Sequence, residues 1–240
     1  MTSRQPPVPG PRLPIIAIDG PSGVGKSTLS KLLASELGFI NLDTGAMYRA
    51  VALAAARRGI DANDAAALGR LASEVVIDFA RSAGSEQVLL DGADVSAAIR
   101  TPEISLLTST VSACPAVREA LVRRQRELGA RGGFVLEGRD IGTVVFPDAE
   151  VKFFLMASAE ERGRRRFLEL QAKGVPVELA KTVAEVEARD AADCNRSHSP
   201  LRRADDAVTV DTTARGIDEV LAEMLDIVRA RQTIRAAEEE

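Results

Sequence analysis

Residues 20–27 read Gly20-Pro21-Ser22-Gly23-Val24-Gly25-Lys26-Ser27, with Thr28 next in line. This is the G-x-x-x-x-G-K-[ST] spacing of a phosphate cradle. Its glycines let successive backbone N–H groups curl around a polyphosphate, and the helix that follows adds its positive dipole end. Lys26 brings a mobile cation to the β- and γ-phosphates, and the Ser27 hydroxyl can hold Mg2+. A glycine-rich strand-to-helix turn with no ligand is the plainer alternative. Both flanks favour the cradle: PIIAID (14–19) reads as a buried parallel strand, and Leu29, Leu32, Leu33 and Leu37 repeat at helical spacing until Gly38 closes the helix. The chemistry expected is the binding of ATP or another nucleoside triphosphate with its cation.

What happens to the γ-phosphate depends on the rest of the chain. A nucleotide-dependent switch would carry an N-K-x-D base reader and a D-x-x-G segment after the second strand, and neither occurs. A motor or helicase ATPase would need a longer core and an arginine finger from a neighbouring subunit. A kinase for a small molecule remains the leading class. The chain holds 26 arginines against 5 lysines. Guanidinium forks suit phosphate, but a GC-rich genome explains the total as well, so position must decide which arginines matter.

Other chemistries are thinly supplied. The only histidine is His198, and the two cysteines, Cys114 and Cys194, lack zinc-ligand spacing. They also make no disulfide framework, which fits a reducing cytosol. The net charge of -4 argues against a surface built for nucleic acid. No apolar run approaches the ~20 residues that span a bilayer. The proline-rich start, residues 1–13, reads as a floppy leader rather than a signal peptide.

The elements that must position the cradle alternate as in an α/β fold. A short strand at 39–43 leads to a helix over about 45–58, stopped at Gly59. Three extended candidates follow at 74–80, 86–91 and 94–100, with Asp91-Gly92 as a tight hairpin signal. Together they predict a small antiparallel meander. Thr101 caps a helix with Pro102 at its first position; Cys114-Pro115 interrupts it, and a second helix covers about 116–128. Parallel-sheet character returns at 133–138 and 151–157. Helical stretches at 159–172 and 177–195, a strand at 207–211 and a helix over about 217–231 complete the chain. Its last residues, RAAEEE, are expected to fray.

The segments IDGPSGVGKST, LDTGAMYR (42–49), VREALVRRQR (117–126), EGRDIGTVVFPDA (137–149) and RDAADCNR (189–196) together resemble the bacterial cytidylate kinase family. The resemblance covers about residues 14–232. It implies a P-loop, adenylate-kinase-like fold: a five-stranded parallel sheet flanked by helices, with an antiparallel monophosphate-binding insert and a short helical lid. Core would be 14–70 and 116–232, insert 71–115, lid 158–176, and an acidic tail 233–240. It also implies the reaction ATP + CMP ⇌ ADP + CDP, with dCMP accepted, in a cytoplasmic monomer of pyrimidine nucleotide metabolism. A kinase for UMP or a non-nucleotide acceptor is the runner-up.

The chemistry of such an acceptor agrees with the composition. A nucleoside monophosphate is already close to a dianion at neutral pH, its second pKa being ~6, so no general base is required. The resemblance gathers Arg49, Arg139 and Arg196 around the phosphates, each of which could otherwise be a surface arginine. It puts the Thr44 hydroxyl on the acceptor phosphate. It gives the cytosine edge to Asp140, with Ser109 and Arg118. A carboxylate accepts from the 4-amino group, with a structural pairing to Arg139 or a helix cap as the alternative for Asp140. Arg189, Asp193 and Arg196 share one helix face by their spacing. An exposed ion pair would explain that, whereas the family reading gives Arg189 and Asp193 to the ribose and Arg196 to the phosphate. Of the lid arginines Arg162, Arg164, Arg165 and Arg166, spacing puts Arg162 and Arg165 on one face with Arg166 also close to Arg162, and Arg162 and Arg165 are the pair taken for ATP.

Overall fold

The computed structural model describes residues 13–82, 85–172, 174–196 and 198–238. Residues 1–12 of the expected leader and Glu239–Glu240 of the expected tail lie outside these.

Strand β1 (Ile15–Asp19) is buried throughout because helices cover both faces of its sheet. Its alternate side chains feed two cores. Ile15 and Ala17 enter one with Leu42, Leu136 and Met47, while Ile16 and Ile18 enter the other with Leu33, Phe153 and Met224. Strands β2 (Ile40–Asp43), β6 (Phe134–Gly138), β7 (Val151–Met156) and β8 (Val208–Asp211) join β1 in the order β2-β6-β1-β7-β8. All of these pairings are parallel. Helix α1 (Lys26–Leu37) leaves the glycine loop and ends at left-handed Gly38. Helix α2 (Thr44–Arg57) is capped by the Asp43 carboxylate, which accepts from Ala46 N at 2.9 Å.

A three-stranded antiparallel sheet stands apart from the parallel one: β3 (Ile77–Ser82), β4 (Ser85–Leu90) and β5 (Ala93–Asp94). Asp91 (φ 51°) and Gly92 (φ 83°) make the expected two-residue turn, since both adopt positive φ. Two expectations need correction. Residues 94–100 are not a full strand: Asp94 Oδ1 accepts from Ser96 N (2.9 Å) and Ser96 Oγ (2.6 Å), which turns the chain, and Ala98–Arg100 form a 3-10 turn. The stretch before β3 is an unforeseen helix, α3 (Ala65–Glu74), capped by Asp64, which accepts from Ala67 N. The expected insert boundary at 71 falls inside it.

Helices α4 (Pro102–Ala113) and α5 (Pro115–Gly129) meet at Cys114, and a single π turn, Ile141–Val145, follows β6. Helices α6 (Ala159–Ala172) and α7 (Leu179–Cys194) pack as a pair; an added Cβ on Gly163 would lie 2.4 Å from Val183 Cγ2. Helix α8 (Ile217–Glu238) buries Val220, Met224 and Val228 against the sheet and continues to residue 238, into the 235–240 stretch where fraying was expected. Among the described residues, no helix is long and apolar enough to cross a membrane.

Candidate active site

At the end of β1 the chain turns at Gly20 with φ 149°; a side chain there would put Cβ 2.4 Å from Leu155 O on β7. Only glycine passes at this distance. The loop then closes over its own lysine. Lys26 Nζ donates to Gly20 O (2.8 Å) and Pro21 O (2.6 Å), and burial followed by the charge of Arg139 holds its pKa well below the ordinary lysine value. Val24 packs into the core, so only its backbone can face a ligand. Thr28 is exposed on the first turn of α1.

Ser27 Oγ donates to Glu137 Oε2 at 2.8 Å. Glu137 was not singled out from sequence, although it is the penultimate residue of the strand beside β1, where P-loop proteins carry a metal-associated carboxylate. The only signal was an acidic residue at a strand end, and strand order was needed to read it. Its Oε1 is buried without a hydrogen-bond partner, and burial, then the charge of Asp43, pushes its pKa up to about 7. A hydroxyl beside a carboxylate with an unmet oxygen is donor chemistry for a hard divalent cation. Among the described residues no group of three or more His, Cys, Asp or Glu could hold a metal alone, so such a cation would share its ligands with phosphates.

Two of the expected arginines meet at one carboxylate. Buried Asp193 on α7 accepts from Arg139 Nε at 2.9 Å and forms an ion pair with Arg196 Nη2 at 2.6 Å, so two arginines 57 positions apart in the chain share one carboxylate. Arg196 also reaches Ser112 Oγ at 3.4 Å. Arg49 pairs with Asp43 at 2.7 Å and keeps a buried Nε without a partner. Arg189 on α7 is exposed as a residue, yet partial burial of its guanidinium, then the charge of Arg139, lowers its pKa, with Asp193 opposing and Arg49 and Arg166 acting in the same direction as Arg139. Arg118 forms a buried ion pair with Asp140 and lies over the Tyr48 ring, 5.5 Å from its centre. Burial of Tyr48 pushes its pKa up to about 12.

Other expected residues are placed less directly. Thr44 Oγ1 donates to Glu137 O at 2.6 Å, so its proton is already engaged. Ser109 is exposed on α4, and its carbonyl oxygen accepts from Ser112 Oγ at 3.2 Å. Arg162 is buried under the glycine loop, donating to Ala157 O (3.0 Å) and Ser22 O (3.2 Å) and pairing with Asp190. Arg165 grips Thr212 O (2.6 Å) and Thr212 Oγ1 (3.1 Å). Thr212, also unforeseen, has its hydroxyl 3.1 Å from Val24 O, tying the β8 end to the loop. Asp19, the last residue of β1, accepts from Ile141 N (2.8 Å) and Gly142 N (2.7 Å). Burial pushes its pKa up to about 6.

A phosphate-binding loop on the central strand of a parallel sheet, faced by a field of arginines, defines a P-loop phosphotransferase. A family model described as cytidylate kinase matches residues 16–230. The chain is 63% identical over 220 residues to the cytidylate kinase of Syntrophotalea carbinolica, covering 92% of this chain and 94% of that one. It is 59% identical to that of Geobacter sulfurreducens (91% and 94% covered) and 50% identical to that of Bacillus pumilus (88% and 94% covered). A solved structure of an uncharacterized protein from Eubacterium ventriosum, 10% identical, superposes with a TM-score of 0.51 over 91% of this chain and 99% of that one, a likeness of fold alone. The chain belongs to the cytidylate kinase family.

Proposed function

We propose that the protein transfers the γ-phosphate of ATP to CMP and dCMP, with Mg2+, as a cytosolic monomer. The observation that carries this reading is the Asp193 bridge, which holds Arg139 and Arg196 together beside the charge of Lys26. The family of the chain favours a nucleotide acceptor over a non-nucleotide one or a nucleotide-dependent switch.

The incoming monophosphate attacks the γ-phosphorus as a dianion, the P–O bond to ADP breaks, and no proton has to be removed first. Catalysis is therefore positioning and charge neutralisation. Lys26 exchanges its two loop carbonyls for β- and γ-oxygens. Arg49, Arg139 and Arg196 face the acceptor phosphate and the group in flight. Ser27 and Glu137 would hold Mg2+, which when bound neutralises the β- and γ-oxygens. Asp140, steadied by Arg118, accepts from the cytosine 4-amino group, whereas the O4 of uracil would meet a carboxylate. Arg189 and Asp193 serve the ribose, Thr44 turns from Glu137 O toward the acceptor phosphate, and Ser109 completes the base edge. Residues 158–176, with Arg162 and Arg165, act as the lid that excludes water, and 71–115 as the acceptor insert.

The test is a phosphoryl-transfer panel with ATP and Mg2+ against CMP, dCMP, UMP, AMP, GMP and shikimate. CMP and dCMP are expected to lead in kcat/KM. Preference for a purine nucleotide or for shikimate would overturn the acceptor assignment.

A further inference from the structure

Two oxygens of one carboxylate connect the donor side of the site to the acceptor side. Asp19 precedes Gly20 directly, so its main chain is the root of the glycine loop. Its side chain accepts the amides of Ile141 and Gly142, the first two residues of the π turn. Immediately before them stand Arg139, on Asp193, and Asp140, on Arg118. The same turn is braced elsewhere. Arg126 donates to Val145 O (2.9 Å) and Val144 O (2.7 Å), and the Lys152 ammonium holds Pro147 O. Gly142 sits so close that an added Cβ would be 3.1 Å from Lys152 Cδ and 3.4 Å from Asp19 Oδ2.

These contacts differ in what they connect. Arg126 and Lys152 fasten the far end of the turn, whereas Asp19 fastens the end that carries Arg139 and Asp140. Its own backbone position is set by β1, between β6 and β7. We propose that Asp19 is a positioning residue that fixes the acceptor-reading pair Arg139–Asp140 at a set distance from the phosphate loop. Both of its oxygens are engaged by amides, so it acts through the turn. Asn in its place keeps one acceptor but turns an N–H donor toward the second amide, which frees that end of the turn while leaving Gly20 and Lys26 in place.

The inference rests on the function proposed above, and the experiment separates the two. D19N and D19S are compared with wild type in steady-state kinetics with CMP, UMP and ATP, and in amide exchange of Ile141 and Gly142 without substrate. Expected are faster exchange at both amides, a KM for CMP raised about tenfold, a fall in the CMP-to-UMP ratio of kcat/KM, and a KM for ATP changed less than twofold. Two side chains of different size keep the test open if one variant fails to accumulate. An equal rise in both KM values would overturn the proposal, as would a lower thermal midpoint with the KM for CMP and the base ratio unchanged. A wild-type enzyme that ignores CMP would count against the proposed function instead, while the exchange data would still report on Asp19.

Discussion

Ser27 and Glu137 lie 110 positions apart and meet through a 2.8 Å hydrogen bond at the mouth of the glycine loop. The hydroxyl belongs to the first turn of α1 and the carboxylate to the end of β6, and parallel pairing of β1 with β6 brings them together. Glu137 is buried, partly unpartnered and raised to about pKa 7, an arrangement that costs folding energy and that a cation would relieve. Glu137→Gln is therefore expected to lower kcat about a hundredfold or more, the scale of a lost transition-state contact. Its thermal midpoint is not expected to fall. Mg2+ titration of the rate and a melting curve check both halves.

Lys26→Met should abolish most turnover and leave the circular dichroism spectrum intact. The lysine spends its donors on the loop carbonyls of Gly20 and Pro21, and the buried sheet beneath does not depend on them. Turnover within tenfold of wild type would remove the cradle from the mechanism.

Asp193 keeps two arginines adjacent by standing between them. Asp193→Ala leaves those guanidinium groups facing each other uncompensated, at an expected cost of about 3 kcal/mol in urea unfolding. The KM for CMP should rise at least tenfold, and ATP binding should change little. Calorimetric titration with each nucleotide reads the difference.

The proposed function assigns base choice to the buried Arg118–Asp140 pair. Asp140→Ala should reduce the preference for CMP over UMP by about ten- to a hundredfold, the discrimination of one good polar contact. Competition assays with mixed nucleotides measure this directly. Tight CMP selectivity in the variant would move base reading elsewhere.

Asp19 sets a pH dependence with a definite sign. Burial raises its pKa from 3.8 to about 6, so between those values the folded protein binds more protons than the unfolded chain. Its stabilising contribution is full below about pH 4 and is lost as pH rises through 6, by up to about 3 kcal/mol. Wild type and Asp19→Asn unfolded in urea at pH 4 to 7 should diverge in that direction. Parallel curves would show that the carboxyl is not held proton-rich in the fold.

Some of this was readable from local sequence because the physics is local. Eight consecutive residues, Gly20 to Ser27, specify a loop conformation, and the leucine spacing after them specifies the helix that receives it. Asp91-Gly92 encodes its own turn, and Thr101-Pro102 its own helix start. Helix α3 was missed because its start rests on Asp64, one of several polar residues between Asp61 and Asp64 that suggest a loop. The strand expected over 94–100 failed because the Asp94 side chain competes for the backbone amide that pairing needs.

The sequence alone therefore determined the phosphate loop, most of the alternation of strands and helices and, through segments shared with a family, which arginines to examine. The tertiary structure alone decided which distant carboxylate they meet: Asp193 for Arg139, Asp140 for Arg118, Asp43 for Arg49, and Asp190 for Arg162, whereas the Asp193–Arg196 pair follows from local spacing. It also drew out Asp19 and Glu137, which no spacing rule marks. The reason is strand order. β1 lies between β6 and β7, more than a hundred positions away in the chain, and a partner chosen by neighbouring strands leaves no periodic trace along either one.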